Sequence, residues 1–217
     1  MKTQLQNDDR IVFIGDSITD CERRVDVDAL GNGFVRLFHD LLLAREPEKH
    51  IHIINRGLSG ETVVDLAARW QRDVIAQNPD WLYVMIGIND VHAYLNKESR
   101  GVDPQTYRRY YHECLALTRQ KLPECRILLI DPFYICQSSN ANAFQASVLD
   151  LLPEYHKTVE EMAATFQSNV LHMHQIFAGL LQHQNPEKYC PEPVHPNAAG
   201  HLVIALHVYE SLCDRIN

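Results

Sequence analysis

The stretch Ile11-Val12-Phe13-Ile14-Gly15-Asp16-Ser17-Ile18 decides the fold. Four consecutive apolar residues stop at a glycine, and a serine follows with no polar lead-in. Uninterrupted apolar runs of this kind mark strands buried on both faces, as in parallel sheets. The C-terminal tips of such strands form the rim where open α/β folds place their chemistry. Gly15 permits a tight turn there. Ser17 then stands exposed just past the tip, a candidate nucleophile if a base lies near.

The rest of the chain repeats the pattern. Apolar runs predict strands at 10–15, 51–55, 81–86, 126–131 and 169–173. Helical periodicity fills the gaps at 32–44, 62–77, 104–121, 141–167 and 198–213. Strands alternating with helices predict an α/β fold, a flavodoxin-like three-layer α/β/α sandwich on a five-stranded parallel sheet with right-handed crossovers. Residues 1–217 read as a single domain, a length that buries a sizeable core. No internal repeat, low-complexity tract or linker interrupts it. The looser stretches 20–32, 94–103 and 136–140 follow strand tips and are expected to shape a substrate pocket. The polar loop 183–196 is expected to deliver the acid and base.

That base is the histidine of Glu192-Pro193-Val194-His195-Pro196-Asn197. A carboxylate three residues before a histidine can reach the imidazole Nδ1–H and fix the tautomer whose Nε2 takes a proton from a serine. The two prolines stiffen the segment, and Asn197 is placed to cap the helix that follows. Asn55-Arg56-Gly57-Leu58-Ser59-Gly60 and Gly87-Ile88-Asn89-Asp90 each follow a strand-like run. The backbone N–H groups of Ser17 and Gly60 and the side-chain amide of Asn89 are natural donors to an oxyanion.

Taken in order, Gly15-Asp16-Ser17, Gly60, Gly87-Ile88-Asn89-Asp90 and His195 resemble the four sequence blocks of the SGNH hydrolases, also called the GDSL esterases and lipases. The resemblance runs from about Ile11 to His207. Ile14-Gly15-Asp16-Ser17-Ile18-Thr19-Asp20, Asn78-Pro79-Asp80-Trp81, Met85 through Val91 and His195 through His201 look like a bacterial branch that contains acetyl esterases acting on xylan and xylo-oligosaccharides. The resemblance implies Ser17 as nucleophile, His195 as general base and then acid, and Ser17, Gly60 and Asn89 as oxyanion donors. It implies a small ester as substrate, an O-acetyl group on carbohydrate among the choices, and no cofactor or metal. The family expects aspartate where Glu192 stands, and the xylan-acting relatives tend to carry tryptophan where Pro191 stands. Related bacterial enzymes often self-associate, which makes a homo-oligomer the expected assembly if there is one.

Composition agrees. A net charge of −8 argues against nucleic acid and anionic membrane surfaces as partners and favours neutral esters. Residues 1–10 are polar and no apolar run nears the roughly 20 residues that span a bilayer. The six cysteines are scattered without a CxxC pair and read as reduced thiols, so a cytoplasmic location is expected.

Other residues carry weaker signals. Asp16 and Asp20 frame a strand tip as a metal or phosphoryl-transfer pair would, but no third carboxylate accompanies them. Asp16 reads instead as a support that orients the nucleophile turn through its backbone. His172 and His174 form an HxH pair on one face of the expected fifth strand, read as partly buried neutral histidines. His201 is expected to cap or pack. Leu202, Ala205, Leu206 and Tyr209 form a stripe at helical spacing, read as core or a subunit interface. Arg56 either contacts substrate or, the favoured reading, pairs with Asp90 or Asp65. Cys21, four residues after Ser17, either edges the site or, the favoured reading, is a small buried residue. Three alternatives to the acetyl esterase are a lysophospholipase or thioesterase, a catalytically silent carbohydrate binder, and a magnesium-dependent phosphoryl-transfer domain. Chain-length preference, serine reactivity and chelator sensitivity separate them.

Overall fold

The structure, a computed structural model, describes residues 2–213. Five parallel strands run β1 (Arg10–Gly15), β2 (His52–Gly57), β3 (Trp81–Met85), β4 (Arg126–Ile130) and β5 (Asn169–Leu171). Their spatial order is β2-β1-β3-β4-β5, the flavodoxin-like order. The chain moves outward from β1 to β2 and then crosses back to β3. The switch point therefore lies between β1 and β3, where an open sheet leaves a crevice. The tips are level, since Gly15 pairs with Gly57 on one side and Met85 on the other.

Helices α1 (Ser17–Asp20), α2 (Phe34–Arg45), α3 (Val63–Asp73), α4 (Ile88–Leu95), α5 (Pro104–Lys121), α6 (Ala143–Phe166), α7 (Met173–Leu180) and α8 (Ala198–Ser211) complete the described residues. On one face α2 packs on α8. On the other, α5 packs between α3 and α6. Phe13 at the centre of β1 meets Phe34 and Phe38 of α2 edge-on and stacks on Tyr83 of β3. Across the sheet, Trp70 of α3 donates its indole N–H to Thr118 of α5 at 2.9 Å. Burying one such aromatic contributes roughly 1.5–3 kcal/mol, so this double-sided core fixes the strand tips.

Several expectations shift. The second strand starts at His52 and runs to Gly57 rather than 51–55. Helix α3 ends at Asp73, with Thr62 as its cap, and a 3-10 turn over Ile75–Gln77 completes the stretch expected as one helix. The fifth strand stops at Leu171, so His172 caps α7 and His174 lies within it; the pair does not share a strand face. Helices α4 and α7 were not expected, because each begins almost at once after an apolar strand and leaves no polar gap to announce it. No helix among the described residues is long and apolar enough to cross a membrane.

Candidate active site

The nucleophile turn is built at the tip of β1. Asp16 is the N-cap of α1, its side chain accepting from Ile18 N–H at 3.0 Å. Ser17 is thus the first helical residue, where a backbone N–H lacks an intrahelical acceptor. The turn is clamped to the next tip. Leu58 N–H donates to Gly15 O at 3.0 Å, Asn55 Nδ2 to Thr19 O at 2.6 Å, and Ser59 N–H and Oγ–H both to Asp20 Oδ2. Gly57 is required here, since a Cβ would meet Asp20 N at 2.2 Å. Asp20 is therefore spent on Ser59 and on Arg23 and Arg24. Among the described residues no group of three or more His, Cys, Asp and Glu side chains is placed to hold a metal ion.

From the far end of the chain, the loop before α8 brings His195 to Ser17. Asn197 caps α8 by accepting from Ala199 and Gly200 N–H, and Ile135 N–H donates to Pro193 O at 2.8 Å. Ser17 Oγ lies 2.9 Å from His195 Nε2, across 178 positions of sequence. His195 Nδ1 lies 2.5 Å from Glu192 Oε1. The carboxylate on Nδ1 makes that nitrogen the protonated one and leaves Nε2 as the acceptor. Glu192 also accepts from His195 N–H at 2.7 Å and Val194 N–H at 3.0 Å, so one carboxylate shapes the loop and orients the ring.

Gly60 and Asn89 stand beyond the neighbouring tips. Gly60 has φ +81°, the left-handed region that favours glycine, and a Cβ there would point into open space. No acceptor is found among the described residues for the N–H of Ser17 or Gly60. Asn89 lies in the first turn of α4, reached through Gly87 at φ +138°. One hydrogen of its side-chain amide goes to Glu61 O at 3.0 Å, and the other is free for a ligand. The geometry sets a serine, an oriented imidazole and three amide donors around the tips of β1, β2 and β3. Chemically that set can run acyl transfer.

Burial pushes the Asp16 carboxyl up to about 7, against the hydrogen bond from Ile18 and the nearby His195. A carboxyl raised in the folded state keeps its proton there after the unfolded chain has lost it. Stability therefore falls as pH rises from about 4 to about 7 and stays low above. Asp16→Asn retains the acceptor for Ile18 and carries no charge. Its melting temperature relative to wild type should rise by about 5 °C more at pH 8 than at pH 4, measured by thermal denaturation. An offset independent of pH would refute the assignment.

The remaining candidates are structural. His201 stacks on Phe34, accepts from Phe34 N–H, and is pushed down to about 4 by burial. Cys21 donates to Ile18 O and lies 3.4 Å from His201 Nε2; burial raises its thiol to about 12. Arg56 pairs with neither Asp65 nor Asp90. It donates to Gln77 Oε1, while Asp65 completes the cap of α3 and Asp90 accepts from Val63 N–H. His172 lies 3.4 Å from Asp131, and His174 accepts from Tyr134 N–H and is lowered to about 4 by burial. Two groups beside the site escaped the sequence reading: Glu61, next to Gly60, and Arg69, which holds it. A glutamate in the loop before a helix and an arginine within that helix give no signal of burial.

Residues 13–203 match the GDSL-like lipase/acylhydrolase family. An acetylxylan esterase of Geobacillus stearothermophilus is 36% identical over 204 residues, 91% of this chain and 90% of that protein. The crystal structure of Axe2, an acetylxylan esterase from the same organism, superposes with a TM-score of 0.85 at 32% identity, covering 98% of this chain and 97% of that one. Solved catalytic mutants of Axe2 replace a serine, a histidine and an aspartate. LAE5, an alpha/beta hydrolase enzyme from the metagenome of Lake Arreo, Spain, gives 0.85 at 32% identity, covering 98% of this chain and all of that one.

Proposed function

Since the chain belongs to the GDSL-like lipase/acylhydrolase family and is a carboxylic ester hydrolase, we propose that residues 1–217 form one such domain, which removes short acyl groups, O-acetyl groups on carbohydrate above all, with Ser17, His195 and Glu192 as its triad. The observation that carries the reading is the unbroken relay Ser17–His195–Glu192 beside the Ser17 and Gly60 N–H groups, which have no acceptor among the described residues, and the Asn89 amide, which keeps one hydrogen free. The acetylxylan esterase at 36% identity supports the substrate class.

The steps follow from the atoms. His195 Nε2 takes the Ser17 hydroxyl proton as Oγ attacks the ester carbonyl. Glu192 stays ionised and stabilises the imidazolium. The oxyanion rests on Ser17 N–H, Gly60 N–H and the free hydrogen of Asn89 Nδ2, each such donor contributing about 3–4 kcal/mol in the transition state. His195 returns the proton to the leaving alcohol, and the acyl group stays on Ser17. Water, deprotonated by the same nitrogen, then releases the acid. Asp16 supports the turn by capping it.

The test is hydrolysis of p-nitrophenyl acetate and octanoate together with acetate release from acetylated xylo-oligosaccharides. The acetyl ester should have a kcat/KM at least about tenfold above the octanoyl ester, the smallest factor expected from even one methylene that the acyl pocket rejects. The reverse preference would sink the deacetylase reading in favour of a lipase or thioesterase pocket.

A further inference from the structure

We propose that Arg69 is a positioning residue that ties the nucleophile turn to the Gly60 loop and so holds the oxyanion donors in place. This rests on the hydrolase reading above. Arg69 lies on α3, is 7% exposed and touches no catalytic group. Each nitrogen of its guanidinium is engaged. Nε donates to the Glu61 carboxylate at 2.7 Å. Nη1 donates to Arg56 O at 2.7 Å and Asp73 Oδ2 at 3.0 Å. Nη2 donates to Gly15 O at 3.2 Å and lies 2.5 Å from Glu61 Oε2 in an ion pair.

The choice of acceptors is the argument. An ion pair that only stabilised the fold would need the carboxylates of Glu61 and Asp73 and nothing else. Here the same guanidinium also takes two backbone carbonyls, one at the tip of β1 two residues before Ser17 and one at the tip of β2 four residues before Gly60. Gly60 itself has no side chain and open space where a Cβ would point, so packing cannot locate it. Its position depends on hydrogen bonds. Arg100 Nη1 holds Gly60 O at 2.7 Å, Asn89 Nδ2 holds Glu61 O, and Arg69 holds the Glu61 side chain. Glu61 is thereby gripped at both its carbonyl and its carboxylate, and the second grip leads straight to Gly15. A planar five-donor fork can span these points; the single ammonium of a lysine, with three donors on one atom, cannot.

Misplacing a reacting geometry by about 1 Å costs on the order of 10²-fold in rate. Arg69→Lys keeps charge and most of the volume and should lower kcat by about 100-fold per functional site, with KM held within about threefold, because ground-state binding does not use the oxyanion donors. Functional sites are counted by titrating Ser17 with a fluorophosphonate, which separates lost positioning from lost fold. Glu61→Gln, milder and nearly isosteric, should lower kcat by about tenfold with KM unchanged. The double variant should fall little below Arg69→Lys alone, as members of one network do. If both variants keep kcat per titrated site within about threefold of wild type and only melt earlier, Arg69 is a structural ion pair and the proposal is overturned. If Arg69→Lys does not fold, an unchanged kcat in Glu61→Gln overturns it alone. A wild type with no Ser17-dependent hydrolysis would instead bring down the hydrolase reading, and the positioning role with it.

Discussion

Ser17→Ala should lower ester hydrolysis by at least about 10⁴-fold while leaving melting temperature nearly unchanged. The hydroxyl removed has one partner, His195 Nε2, and that ring stays held by Glu192. The cap of α1 belongs to Asp16, so the turn does not depend on the serine side chain. Alanine also suits the first helical position. What is lost is the atom that forms the acyl intermediate in the proposed mechanism. Residual rate would come from the oxyanion donors alone. The check is p-nitrophenyl acetate turnover by both proteins at equal folded concentration. Comparable rates would remove Ser17 as nucleophile, whatever the sequence blocks imply.

Glu192→Gln should lower kcat by on the order of 10³–10⁴-fold, the size seen when a triad carboxylate becomes an amide. The local geometry makes the substitution hard to absorb. Oε1 receives both His195 N–H and Nδ1–H, and Oε2 receives Val194 N–H. Whichever way the new amide turns, its NH₂ faces an N–H donor. Placed at Oε1 it forces the imidazole into the other tautomer and turns Nε2 into a donor toward Ser17. Placed at Oε2 it opposes Val194 and loosens the loop. Rates and folded fractions measured together would show the outcome. A kcat within about threefold of wild type would mean that another group orients His195.

Much of the architecture was legible because its signals are local. The run Ile11–Ile14 and its counterparts in β3 and β4 mark buried strands, and those in β2 and β5 mark partly exposed edge strands. The blocks at Ser17, Gly60 and Asn89 sit just beyond strand ends, while His195 lies on the loop before α8. Boundaries failed where one apolar element runs into the next. Met85-Ile86-Gly87-Ile88 passes from strand to helix without a polar gap, and His172 was assigned to a strand that had already ended at Leu171. Arg69 illustrates the deeper limit. Within Ala68-Arg69-Trp70-Gln71-Arg72-Asp73 the two arginines look alike, yet Arg72 is largely exposed and Arg69 is buried against two strand tips. The backbone carbonyls that single out Arg69 belong to the strand tips, Arg56 13 positions away and Gly15 54, so no pattern within the helix encodes the difference. The same holds for Arg56. Its expected ion pair fails because Asp65 and Asp90 are already committed to helix caps.

The contact between Ser17 and His195 also has a consequence for the protein's biogenesis. Synthesis runs from the N-terminus, so the nucleophile turn can form on β1 long before residue 192 exists. A nascent chain carries a serine with no base for most of its elongation. On the proposed mechanism, hydrolytic capacity arrives when the loop docks against Ile135 and α8 settles on α2. In refolding, closure over 178 residues is among the slowest contacts to form. Recovery of esterase activity should therefore trail the recovery of helical circular dichroism, and the lag would time the docking of the C-terminal segment.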